Sequence, residues 1–458
     1  MLSLSRDRSF YRNMIAIAVP IALQNLISFG VSMMDTVMVG QLGQTQLSAS
    51  ALANQPGFVF NVMTFGIGSG AAVLIAQYWG KKDMERIRHI FAIALRIAFC
   101  CSVILSALVL GFPGQIMRIF TPSEAVIAEG VRYLRVIGFT YLFFGVANTL
   151  MMTLRSIEVV RISVAVTSTS FVLNVILNYC LIFGKFGFPA LGITGAAIAT
   201  LCARISEFVI IVGYIAFFDK KLHLRFRDLF VRDRELSADF RRHGLPVVVN
   251  ETLWSLAVAV QSMILGRLGD DAVAANSIVS VVQQFVNVFI FGISNASAVI
   301  VGKTIGEGRH DKLKEYVRTF QVFFLIIGAC ACGLMLLLKN PIINLYNVPD
   351  STKALASQFM IVMSVIMFSI SYTSPSLVGI LRGGGDTRFV LMVDLIFMWA
   401  ISVPFGAIAG LVLHFPAPLV FLCLKIDEPV KMIVSSVRIR SGKWIRDVTR
   451  TGNPADIA

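Results

Sequence analysis

Laid over itself with an offset of 226 residues, the chain repeats. Pro20, Gly40, Leu42, Gly43, Gly66, Ile67 and Gly80 recur as Pro246, Gly266, Leu268, Gly269, Gly292, Ile293 and Gly306. The offset becomes 227 further on, where Pro122, Leu154, Arg155 and Arg161 meet Pro349, Leu381, Arg382 and Arg388. The duplicated material is apolar: of 458 residues 56% are hydrophobic and 14% charged, with a mean hydropathy of +0.78. An ordinary soluble protein carries about 25% charged residues. Two tandem apolar copies imply two membrane bundles of one ancestral design, the usual plan of secondary transporters.

A helix needs about 20 apolar residues to cross the hydrocarbon. Twelve stretches qualify, near 14–38, 49–78, 90–111, 131–153, 160–183, 193–218, 245–267, 275–301, 317–338, 355–381, 387–411 and 416–437. The expected fold class is therefore an all-α integral membrane protein with twelve transmembrane helices in two pseudo-symmetric six-helix bundles. The expected division is an N-terminal lobe over 1–218, a cytoplasmic linker over 219–243, a C-terminal lobe over 244–440 and a cytoplasmic tail over 441–458. The linker holds eight Lys or Arg against five Asp or Glu, which suits a short amphipathic surface helix. Basic residues crowd alternate connections, among them Arg6 to Arg12, Lys81 to Arg88, Lys303 to Arg318 and Arg382 to Arg388. That bias puts both termini in the cytoplasm. The first apolar stretch has no small-residue cleavage pattern after it, so it is expected to be retained as a helix.

The net charge of +14 lies at helix ends flanking apolar spans, so membrane lipid and not nucleic acid is the expected partner. All seven cysteines fall within the spans, where thiols act as small apolar residues. Gly302-Lys303-Thr304 ends like a phosphate loop, but Ser297 stands where that loop needs its first glycine, which disfavours an ATP-driven pump. Gly383-Gly384-Gly385 before Asp386-Thr387 suits a tight turn, with Asp386 or Thr387 capping the next helix. No recognisable nucleophile and base recur, so the chain is not read as an enzyme and no cofactor is expected.

Charged side chains inside a membrane are costly and default to function. Asp35 lies toward the outer end of the first span, Glu251 about two turns into the seventh, and Asp394 in the eleventh. Arg204 and Glu207 occupy the sixth, and Lys425, Asp427, Glu428 and Lys431 the twelfth. An offset of 221 lays Arg204 on Lys425 and Glu207 on Glu428, a spacing that predicts a salt bridge along one helix face in each copy. By contrast, Asp35 aligns with Gln261 and Glu251 with Asn25. These unduplicated carboxylates are the leading candidates for proton or cation coupling, with Asp394 as a possible addition. Asn174 and Asn178 share a helix face, and with Asn148 and Thr200 they would supply neutral oxygens for a sodium ion at the Asp35 site. Hydrogen bonding between helices is the plainer role for each of these four.

Pro20 and Asp35-Thr36 followed by Val39-Gly40-Gln41-Leu42-Gly43, the Gly66 to Gly80 segment, Asn250-Glu251, and Leu381-Arg382-Gly383 before Gly385-Asp386-Thr387 together make the chain resemble the multidrug and toxic compound extrusion family. The resemblance covers nearly the whole chain. It implies an exporter that exchanges sodium ions or protons for organic cations, with Asp35 matching the acidic residue of the first helix and Glu251 the glutamate found in one branch. Pro20 would be the point where the first helix bends. Departures occur at Ser371-Tyr372-Thr373 and at Asn178, where other branches are acidic. The expected protein is a monomeric secondary active antiporter of amphipathic, cationic compounds in a bacterial inner membrane. A flippase for lipid-linked saccharides is the alternative, and it would need several Arg or Lys residues in its central cavity.

Overall fold

The computed structural model describes residues 5–219, 221–224, 226–346 and 348–450, without the side chains of Phe226 and Asp270. Among these the chain is helical. In order come α1 (Arg8–Gly40), α2 (Gln44–Ala53), α3 (Gln55–Gly80), α4 (Met84–Gly111), α5 (Pro113–Phe120), α6 (Glu124–Ser156), α7 (Arg161–Phe183) and α8 (Ile193–Phe217). After a 3₁₀ turn at Phe226–Phe230 follow α9 (Arg234–His243), α10 (Leu245–Gly266), α11 (Asp270–Gly306), α12 (His310–Asn344) and α13 (Asp350–Ser374). The last are α14 (Thr387–Asp394), α15 (Val403–Ala407), α16 (Ala417–Cys423) and α17 (Asp427–Arg440).

Among the described residues, eleven helical stretches are long and apolar enough to cross a membrane, and the protein is a multi-pass membrane protein. The twelfth stretch is broken rather than continuous, as α16 and α17 flank Leu424–Ile426. The break coincides with Lys425, and Asp427 and Glu428 open α17, where acidic groups suit a helix N-terminus. Short α9 supplies the linker helix that composition suggests.

The duplicated prolines and glycines explain local geometry. Gly43 and Gly269 precede α2 and α11 with φ of 128° and 117°, a region open essentially to glycine. α13 continues as a π-helical segment over Pro375–Leu381, and α14 is joined to α15 by another over Leu395–Ser402. Pro375 begins the first and Pro404 closely follows the second. A proline lacks the N–H that a regular turn requires and clashes with the preceding turn, which widening relieves. Pro20, by contrast, lies inside an unbroken α1.

The chain forms two compact units. One holds Pro20–Ala71 and Met84–Ala238; the other holds the described residues up to Val19, Ala72–Asp83, and those from Asp239 onward. The first unit, called here the Asp35 unit, is cored by Phe60, Val109, Leu134, Ile137, Tyr141 and Ala197. The second, the Glu251 unit, is cored by Val282, Phe359, Met363, Met367, Val420 and Phe421, with Phe359 and Phe421 stacked at 4.4 Å between centroids. Three helices therefore run from one unit into the other: α1 changes membership at Pro20, α3 at Ala72 and α9 at Asp239.

Within the Glu251 unit the repeat-related glycines meet. A β-carbon on Gly80 would lie 2.8 Å from the amide nitrogen of Glu307 and 2.9 Å from the carbonyl carbon of Gly306, and one on Gly306 would collide with the backbone of Gln77. Helices in lipid approach this closely only where small residues line the crossing.

Candidate functional site

Each unit carries one polar constellation inside its helices. In the Asp35 unit, α1 presents Asp35 to α7, where Asn174 and Asn178 sit one turn apart and fully buried. Asn178 Nδ2 donates to Asp35 Oδ1 and also lies 3.1 Å from Asn174 Oδ1. Asp35 makes no ion pair among the described residues. Arg204, on α8, is engaged by Glu207 at 2.8 Å and lies over the Phe144 ring at 4.8 Å. Asn178 Oδ1 and Asn174 Nδ2 are buried without a hydrogen-bond partner, which is unusual for buried polar atoms. The group thus pairs one carboxylate with amide oxygens, one of them unsatisfied, a donor set that suits a proton or a monovalent hard cation.

Asn148 and Thr200 lie outside this hydrogen-bonded set. Asn148 Nδ2 donates to Thr64 Oγ1 at 3.4 Å, and Thr200 Oγ1 bonds the carbonyl of Ala196 at 3.0 Å. Both bonds hold helix backbone or neighbouring helices together.

The Glu251 unit uses the repeat-equivalent helices α10, α14 and α17 with different chemistry. Glu251, on α10, forms an ion pair with Arg382 at 2.8 Å; the two side chains are 12% and 2% exposed. Its neighbour Asn250 donates to Asp394 Oδ2 at 3.0 Å. Asp394 Oδ1 lies 3.1 Å from Lys431 Nζ, and Lys431 also reaches Asp427 at 2.8 Å and Glu428 at 3.8 Å. Three carboxylates therefore surround one buried ammonium. Deeper along α10, Gln261 Nε2 donates to Ser402 Oγ at 3.0 Å and to the Leu424 carbonyl at 3.1 Å, while Lys425 Nζ donates to Gln261 Oε1 at 2.8 Å.

Of the two duplicated salt bridges the spacing predicts, Arg204 to Glu207 forms and Lys425 to Glu428 does not. The break at Leu424–Ile426 removes the helical register that would align them, so Lys425 turns to Gln261 and Glu428 to Lys431. The expected side-chain cap at Asp386 is likewise absent. Its carboxylate, fully buried, instead receives Arg438 at 2.7 Å and Arg446 at 2.9 Å.

Arg382 and Lys431 were not among the anticipated site residues, nor were Gln24, Arg155 and Gln261. The repeat held a signal for them. Arg155 Nη2 donates to Gln24 Oε1 in the Asp35 unit, so the duplicated Arg155 and Arg382 reach neighbouring repeat positions on α1 and α10, meeting a neutral amide in one copy and, one residue further along, a carboxylate in the other.

Comparison with known proteins agrees with this architecture. The family model MatE matches residues 20–180 and 246–408, one stretch in each copy of the repeat. The chain is 24% identical over 442 residues to YisQ, an uncharacterized transporter of Bacillus subtilis, covering 96% of both chains. It is 26% identical to NorM of Thermotoga maritima, described as a probable multidrug resistance protein, covering 94% of this chain and 93% of that one. Among solved structures, an outward-facing multidrug resistance MATE transporter superposes with a TM-score of 0.86 at 18% identity, covering 96% of this chain and 99% of the other. With a duplicated family match over most of its length and the matching fold, the chain belongs to the MatE family, the multidrug and toxic compound extrusion transporters.

Proposed function

We propose that this transporter is a secondary active multidrug exporter that antiports amphipathic organic cations against protons or sodium ions, with Asp35 as the coupling carboxylate. The observation that carries the reading is the charge state of its surroundings: Asp35 faces neutral amides, whereas Glu251 faces Arg382. A membrane carboxylate with no fixed counter-charge is stabilised by a mobile one. Proton, sodium ion and cationic substrate would then compete for it, and antiport needs no more than such competition or opposite preferences for two states.

Asn178 holds one carboxylate oxygen, which leaves the other for the exchanging ion, and the unsatisfied Asn178 Oδ1 is a further oxygen for sodium. In the proposed cycle the ion enters from outside, substrate is released outward, the protein closes and opens inward, and the ion leaves to the cytoplasm. Pro20 would serve as the bend in α1, because the turn that ends at it lacks a backbone hydrogen bond and the chain passes between units there. Both termini would lie in the cytoplasm of a bacterial inner membrane, a placement supported by the Lys and Arg bias and by the bacterial relatives. Against a saccharide flippase, the buried cations Arg155, Arg382 and Lys431 and the half-buried Lys425 all have protein partners.

Ethidium efflux from proteoliposomes under an imposed sodium or proton gradient tests the proposal. Gradient-driven efflux that Asp35→Asn abolishes in folded protein is the expected result, and the effective gradient names the ion. Full activity in Asp35→Asn would overturn the assignment.

A further inference from the structure

At one end of the Glu251 unit, α9 finishes, α14 begins and the segment after α17 folds back between them. Together they enclose a cavity of about 370 Å³. Its walls carry Arg242, Arg388, Arg446 and Arg450 against only two carboxylates, Asp239 and Asp447. Both carboxylates are already matched, Asp239 by Arg450 at 2.7 Å and Asp447 by Lys81 at 3.0 Å. Arg446 is held by Asp386. Arg242 and Arg388 have no hydrogen bond or ion pair among the described residues, so their two charges stand uncompensated in the lining.

A second observation points to a ligand. Thr387 lines the same cavity at 2% exposure, and its hydroxyl has no partner. It occupies the first turn of α14, whose amides have no side-chain cap. Buried hydroxyls are normally satisfied, and a helix start surrounded by arginines favours an anion.

The walls are built before any ligand arrives. Gln77 Nε2 donates to the carbonyl of Arg446 at 3.1 Å, Val448 N donates to Gln77 Oε1 at 2.9 Å, and Arg446 N donates to the carbonyl of Gly384 at 2.9 Å. Trp444, 2% exposed, anchors the segment through Nε1 to the carbonyl of Ile439 at 3.0 Å. Gly385, with φ of 86°, gives the turn its shape. Such pre-ordering lowers the entropic cost of binding.

We propose that this cavity binds a phosphate group. One arginine suffices for a planar carboxylate, but here three donors without a protein partner among the described residues line the cavity: Arg242 on α9, and Thr387 and Arg388 on α14. A tetrahedral oxyanion has oxygens for all three, and guanidinium forks pair with phosphate through two parallel bonds. The phosphate belongs either to the headgroup of an anionic lipid or to a soluble phosphate compound. The position at the ends of membrane helices admits both.

Two arms separate the sources, each using the full-length protein. In the first, inorganic phosphate is titrated against chloride at equal ionic strength in detergent, and the rise in melting temperature is followed. In the second, melting is compared in phosphatidylcholine nanodiscs with and without phosphatidylglycerol. A saturable response to phosphate assigns a soluble ligand, and a response confined to phosphatidylglycerol assigns the lipid. In either case Arg242→Gln with Arg388→Gln weakens the response at least about tenfold, as expected for lost charged hydrogen bonds. Arg388→Lys, which retains charge but not the fork, keeps the fold testable and weakens it less. No response to either ligand in wild type, or equal responses in wild type and variants, would overturn the proposal.

Discussion

The two copies of the repeat share one sequence pattern yet place their unduplicated carboxylates differently. Asp35 stands 15 residues beyond Pro20, while Glu251 stands five beyond the equivalent Pro246. At about 1.5 Å per residue the two lie about 15 Å apart along the common helix. Where one copy has an acid, the other has an amide: Asp35 answers to Gln261, Glu251 to Asn25. The surroundings diverge in step. Asp35 meets asparagines, and Glu251 meets an arginine inherited by both copies. Duplication supplied a common frame, and divergence left the acid of one copy bonded to an amide and the acid of the other paired with a guanidinium.

The sharpest test of this contrast is transport. Asp35→Asn should abolish gradient-driven efflux, while Glu251→Gln, which removes a carboxylate already paired with Arg382, should leave measurable efflux in the same proteoliposomes. Equal loss in both would erase the distinction between the sites.

Stability should show the reverse order. Arg382→Met strands Glu251 without its partner and should cost about 3–5 kcal/mol. The duplicate change Arg155→Met strands only a neutral amide, and about 1–3 kcal/mol is expected. Denaturant unfolding in detergent measures both, and Glu251→Gln combined with Arg382→Met should recover much of the larger loss.

The crossing of α3 and α11 depends on glycines from both copies. Gly306→Ala should cost about 1–3 kcal/mol, typical of overpacking, and more than Gly266→Ala, where a β-carbon meets open space. Thermal melting of the two variants side by side decides the point.

The smallest effect concerns the terminal segment. Burial pushes the Asp447 carboxyl up, but hydrogen bonds from Thr449 and the Lys81 ammonium outweigh it and hold the group below the usual carboxylate range. A lowered folded value means that ionised Asp447 contributes stability above its unfolded value near pH 3.9, and that contribution is lost as pH falls through the folded value. Hydrogen-exchange protection factors over Gly442–Arg450, normalised to the intrinsic rate at each pH, should therefore be unchanged between pH 7 and 5 and fall only below about pH 4. A fall near pH 6 would point to another group.

Much of the architecture was legible in the residues. Spans of apolar sequence mark helices because lipid leaves the backbone no other partner, and the offset of 226 marks the duplication. Asp35 stood out for the same reason, as an acid amid apolar neighbours, and Asn174 and Asn178 share a face through their spacing alone. Asn148 and Thr200 show the limit: spacing put them on plausible helices, but their bonds go to Thr64 and Ala196. The twelfth span failed as a single helix because hydropathy averages over Lys425, Asp427 and Glu428, whereas the backbone responds to them individually.

By itself, then, the sequence determined a duplicated helical membrane protein with few buried charges, since hydropathy and repeat are properties of order along the chain. Which charges cancel was decided by tertiary structure. Arg382 reaches Glu251 across 131 positions and Lys431 reaches Asp394 across 37 because helix packing brings distant residues within Coulomb range. Among the described residues Asp35 makes no ion pair, and Arg204 of the same unit is taken by Glu207 on its own helix.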